Sequence, residues 1–138
     1  MKLIVSLLAA TVLFISNSIM AQESVTITAT VVNVTSNVGK VGFALYDKEN
    51  FMGTPVLGDK VEVINGKSVV VFKNVKPGVY AITCYHDKNS NDKMDFAENG
   101  MPLEDYGASN NNMSFGPPNF DLAKFTVSDK DVSLEIKF

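Results

Sequence analysis

Asp87, Asn89, Asn91, Asp95 and Glu98 place side-chain oxygens at positions 1, 3, 5, 9 and 12 of the stretch DKNSNDKMDFAE. A calcium loop of the EF-hand type asks for oxygen at those positions, a main-chain carbonyl at 7 and a bidentate carboxylate at 12. Lys93 offers the carbonyl, and Met94 supplies an apolar residue at position 8. Ca2+ is a hard ion that accepts six to eight oxygens in flexible geometry, so short Asp and Asn side chains at alternating positions suit it. Mg2+ fits less well because it demands a small octahedral cage. Zinc is poorly served, since the chain has one histidine and one cysteine. Position 6 departs from the pattern: a sharp turn there favours Gly, and this chain has Asp92. The competing reading is a run of Asx turns, in which Asp and Asn side chains bond their own backbone.

Other groups offer different chemistry. His86 directly precedes the loop and, with Glu104 or Asp105, would make the acid–base set of a hydrolase; that is the alternative function. A structural role for His86, bonding loop backbone where a strand ends, is the plainer expectation. Cys84 sits in the apolar run VYAITCYH and reads as a buried, inert thiol. The amide-rich GASNNNMSFGPPNF would suit a sugar or peptide, or would form a rigid loop covering a sheet edge. No nucleophile elbow, phosphate loop or Cys–His pair is present.

Charge is concentrated around the same loop. The chain carries 12 basic residues, all lysine, against 15 acidic ones, for a net charge of −3. Between Asp87 and Asp105 six acids face two lysines, so this segment holds the excess. A negative surface without arginine repels phosphate backbones, which excludes nucleic acid as a partner. The beginning, MKLIVSLLAATVLFISNSIMA, has the basic start, apolar run and small-residue end of a secretory signal, with cleavage after Ala21. The apolar run is short for a bilayer span. The expected organisation is a signal peptide at 1–21 and one domain at 22–138, periplasmic or secreted, monomeric, with no membrane span after cleavage.

The elements that must position the loop read as strands. SVTITATVVNV alternates Val25, Ile27, Ala29 and Val31 with threonines, and its phase slips at Val31–Val32, as at a bulge. KVGFALY, KVEVI, KSVVVFKNV and VYAITCYH follow, with Asn65–Gly66 marking a type I′ hairpin and Lys76-Pro77-Gly78 a turn with positive φ at the glycine. Phe125 and Val127, the turn SDKD, and Val132 to Phe138 complete about seven strands. This pattern predicts an all-β fold, an antiparallel β-sandwich. Residues 87–121 lack periodicity, apart from a helical turn at NFDLA capped by Asn119. Met94, Phe96, Met101, Leu103, Tyr106, Phe115 and Phe120 are expected to bury and hold this insertion against the sheet.

FKNVKPGVYAITCYHDKNSNDKMD, with NGMPLEDYGASNN and FGPPNFDLAKFTV after it, resembles a family of exported bacterial proteins known as domain of unknown function 2141. The shared pattern falls on Pro77, Gly78 and Tyr80, on His86, Asp87, Asn89 and Asn91, on Gly100, Pro102, Glu104, Tyr106 and Gly107, and on Pro118 and Phe120. The resemblance implies a small periplasmic or secreted β-sandwich similar to transthyretin-like modules, without an established activity. Taken with the loop, the expectation is a non-enzymatic module with a Ca2+-ordered loop that binds an envelope protein or a glycan.

Overall fold

The structure is a computed structural model, and it describes residues 24–112 and 116–138. The signal segment 1–21 and Phe115 lie outside the described residues. No helix among the described residues is long and apolar enough to cross a membrane.

The chain forms two packed β-sheets. β1 (Val25–Val31) keeps the alternation of its sequence, burying Val25, Ile27, Ala29 and Val31 while its threonines stay partly exposed. It is the central strand of a three-stranded sheet, antiparallel to β4 (Ser68–Val75) and parallel to β8 (Val132–Ile136). The second sheet takes β3 (Leu57–Glu62), β2 (Lys40–Tyr46), β5 (Gly78–Asp87) and β6 (Tyr106–Ala108) in that order, and β7 (Phe125–Val127) pairs with the first residues of β5. Inward residues of both sheets, among them Ile27, Val31, Phe43, Leu45, Ile82 and Ile136, make the core. Each such side chain removed from water stabilises the fold by roughly 1.5–3 kcal/mol before entropy is counted.

The all-β sandwich is as expected; its connections differ in instructive ways. The described residues form eight strands, and the β1–β8 pair is parallel. Asn65 and Gly66 do adopt the positive φ values of a I′ turn, 52° and 73°. The turn closes a single pair, Ile64 with Lys67. Beyond it the two strands diverge, β3 joining β2 and β4 joining β1, so the reversal is a corner between sheets instead of a hairpin within one. The segment between β7 and β8 likewise crosses from one sheet to the other. The phase slip at Val31–Val32 marks the end of β1, and the irregular register lies between Val25 and Ile27.

Gly78 does not use positive φ; Asn74 does, at 59°. Gly78 instead makes room for Tyr80, whose ring would lie 3.1 Å from a Cβ placed there. The Tyr80 hydroxyl donates to the Lys76 carbonyl at 2.9 Å, the pinned arrangement of a tyrosine corner. Asn119 caps α1 (Phe120–Ala123), accepting from the N–H groups of Asp121 and Leu122.

Candidate binding site: an acidic loop beside an apolar groove

β5 ends on Asp87, an acidic residue that is nonetheless buried. Its two carboxylate oxygens accept the backbone N–H groups of Asn91 (3.1 Å) and Asp92 (2.9 Å), which folds the following residues back over the strand end. Asn89 Oδ1 accepts from the Asn91 N–H, and Asn91 Oδ1 from the Lys93 N–H. The amide nitrogens of Asn89 and Asn91 both reach the Asp95 carboxylate, at 2.7 Å and at 2.7–2.9 Å. Asp92 takes the left-handed conformation, φ 68°, that the sharp turn at position 6 requires. Its carboxylate pairs with the Lys60 ammonium of β3, which holds the Asp92 carboxyl below the usual range and the lysine above its own.

Asp87, Asn89, Asn91 and Asp95 are therefore joined by hydrogen bonds, with Lys93 tied in through its N–H, and Asx turns and convergence coexist in one loop. Glu98 is not brought in. A small hairpin follows Asp95, with Phe96 bridged to Pro102 and the Ala97 N–H donating to the Met101 carbonyl, and Glu98 lies exposed on its tip. Glu104, returning on the far side of that hairpin, accepts the Asp95 N–H through Oε2 at 3.2 Å. Among the described residues no three acid, histidine and cysteine side chains gather closely enough to hold a metal ion by themselves. The donors that meet are mixed, carboxylates with amides.

Beside the loop the solvent face of the five-stranded sheet is sunken and apolar. Cross-strand neighbours Gly58, Ala44 and Thr83, and Gly42 with Tyr85 and Tyr106, form its floor. Small residues there leave a groove of about 1140 Å³. Met94, Phe96, Met101 and Pro102 of the acidic loop make one wall, and Gly116, Pro117 and Pro118 line it as well. The Tyr85 ring lies so close over Gly42 that a Cβ there would meet it at 2.7 Å. Partial burial pushes the Tyr85 phenol above its ordinary range.

The apolar residues of the insertion divide accordingly. Phe120 is buried, and Met94 and Tyr106 are half-buried. Phe96, Met101 and Leu103, expected inside, are 59%, 61% and 65% exposed. The hairpin carrying them stands away from the core, so Phe96 and Met101 face the groove. A monomeric soluble domain rarely presents such a patch without a use for it.

A family model of uncharacterized proteins conserved in bacteria, DUF2141, matches residues 29–135 of this chain. The chain belongs to DUF2141. No curated protein and no solved structure matches it.

The match takes in β2 to β7, parts of β1 and β8, the acidic loop and the groove floor of this DUF2141 chain, but carries no catalytic assignment. His86 is fully buried, and its Nε2 donates to the Val38 carbonyl at 2.7 Å. Its backbone N–H bonds the Asp105 carbonyl, so the residue ties the end of β5 to neighbouring loops, while Nδ1 is buried without a hydrogen-bond partner among the described residues. Among the described residues no hydrogen bond joins the His86 ring to Glu104 or Asp105, and Asp105 turns outward to Lys88 and Thr35. Cys84 is buried against the Gly107 carbonyl, and burial pushes its thiol far up, away from nucleophilic use.

Two amides of the GASNNN stretch are engaged by backbone. Asn110 donates to the carbonyls of Leu122 and Lys124, and Asn111 bonds Glu135 and Lys137 of the other sheet. They are edge fasteners. The groove itself went unread from sequence, although one signal was available: the two middle outward positions of β2 are Gly42 and Ala44, too small for an ordinary solvent face.

Proposed function

We propose that this DUF2141 chain is a non-enzymatic, exported binding module, periplasmic or secreted, whose groove takes an apolar part of an envelope protein or glycan and whose acidic loop is ordered by Ca2+. The groove carries the reading: about 1140 Å³ of apolar space, floored by small residues and walled by exposed Phe96 and Met101. Ligand sites of this size are mostly apolar with a few placed polar groups, here the hydroxyls of Tyr85 and Tyr106. Calcium enters because Asp87, Asn89, Asn91 and Asp95 lie at the root of the same hairpin that forms the wall. An ion gathering those oxygens fixes the wall's angle. An affinity of about 10⁻⁴ to 10⁻³ M matches extracellular calcium modules.

The test uses the exported chain with an environment-sensitive hydrophobic dye, titrated in calcium and in chelator, alongside thermal melts. Millimolar calcium should tighten dye binding and raise the melting temperature; at ten times Kd the ion contributes about 1.4 kcal/mol. No dye binding would remove the groove from the account, and equal melting in chelator would remove the ion.

A further inference from the structure

We infer that the occupant of the groove is a peptide segment of a partner protein, apolar at its centre and basic at its flanks. The inference rests on the reading that the groove binds, and it commits that groove to a protein partner over a glycan or a lipid.

Size and lining point to a chain. At about 1140 Å³ the groove exceeds the roughly 300–1,000 Å³ of small-molecule sites. Met52, Met94 and Met101 line it, and unbranched thioether side chains repack around apolar groups of varied shape. β3 is the end strand of its sheet, and its Gly58, Asp59 and Lys60 line the groove, so a sheet edge runs along one rim. Such an edge offers main-chain groups to an extended peptide. A glycan asks instead for free polar side chains, and the amides of Asn110 and Asn111 are spent on backbone.

Charge selects the flanks. The wall bridged at Phe96 and Pro102 stands within Asp87 to Asp105, where six acids face two lysines. Glu98 is exposed at the tip of that wall, between lining residues Phe96 and Gly100, and Asp59 is exposed on the β3 rim. Among the described residues neither carboxylate has an ammonium partner, while Lys60 pairs with Asp92 and Lys88 with Asp105. Four lining residues, Tyr46, Tyr85, Phe96 and Tyr106, are aromatic, and ring faces attract ammonium and guanidinium groups. Lysine or arginine beside an apolar centre therefore meets carboxylates at the rim and rings within. Anionic phospholipid headgroups would meet like charge.

Displacement of the hydrophobic dye from the exported chain, at one fixed calcium level, tests this with short peptides that share a Phe- and Leu-rich centre and differ in lysine or glutamate flanks. At low salt the lysine-flanked peptide should bind about tenfold or more tighter than the glutamate-flanked one, and in about 1 M salt within about twofold of it. In the Asp59→Asn, Glu98→Gln double variant the low-salt preference should shrink to about threefold or less. Equal binding of the two peptides, a preference that survives high salt, or one unchanged in the double variant would each overturn the inference and leave the groove standing. So would a dye displaced by anionic phospholipid vesicles, or by neither probe. A chain that binds neither dye nor peptide ends both readings.

Discussion

The two sheets share a core yet present opposite faces to water. The outer face of the three-stranded sheet pairs Thr28 with Val71 and Ser133, and Thr30 with Val69 and Glu135. These β-branched and polar side chains stand up from the strands and fill the surface, which is what a solvated sheet face ordinarily needs. Across the molecule Gly42, Ala44, Gly58 and Thr83 leave a hollow, and the long insertion after β5 supplies its wall. Glycine within a strand gives up propensity and packing. Where one sheet follows the rules of strand composition and the other breaks them at several adjacent positions, the broken face is the one to suspect of binding.

The largest test of that contrast fills the hollow. Gly42→Ile should push the Tyr85 ring aside and weaken dye binding by about tenfold or more, the loss of a central contact in a packed pocket. Thr28→Ile, the same side chain on the other sheet's outer face, should leave dye binding unchanged and the melting temperature equal or slightly higher. A groove that still binds after Gly42→Ile is not where the dye sits.

Next in size, Tyr80→Phe should cost about 1 kcal/mol by removing the hydroxyl bond to the Lys76 carbonyl, read by urea unfolding. Because this bond fixes the turn from β4 into β5, it lies in the layer both faces share, and dye affinity should not change. Phe96→Ala should do the converse. The residue is 59% exposed, so stability should shift by less than about 0.5 kcal/mol. Dye affinity should fall by about threefold, or roughly 0.6 kcal/mol.

The same contrast explains what could be read from the chain. β1 and β8 announced themselves because one face of each is buried and the other wet, so apolar residues recur every second position. The capped turn at Asn119 and the I′ turn at Asn65–Gly66 were legible because their conformations depend on local chemistry alone. Strand partners were not. A turn says that the chain reverses, while the choice of sheet depends on side chains far away, which is why β3 and β4 part company beyond Ile64 and Lys67.

In the loop, Asp87, Asn89, Asn91 and Asp95 were found because their meeting is local. Glu98 stands exposed on the tip of the hairpin bridged at Phe96 and Pro102, a turn that a fixed spacing along a continuous loop does not foresee. The groove escaped for a different reason. Small outward residues carry no periodic signal, and the insertion's apolar residues invite a burial that only the assembled sheet could refuse.

The smallest expected effect concerns the tie between groove and loop, Lys60 on β3 with Asp92. Both side chains are exposed, so the pair is weak and screened by salt. Its pH window follows from the direction of each shift. Asp92 is held below its ordinary value, so its part is present above about pH 4 and is lost as pH falls through the lowered value. Lys60 is held above its own, so its part is present below about pH 10.5 and is lost as pH rises through the raised value. The melting difference between the parent and Lys60→Met at low salt should therefore be small, flat across neutral pH, and gone in acid or in about 1 M salt. A difference that survived both would come from the aliphatic stem of Lys60 packing along the groove's rim. The lysine would then belong to the hollow face as a contact surface, and its charge would be incidental to holding the loop.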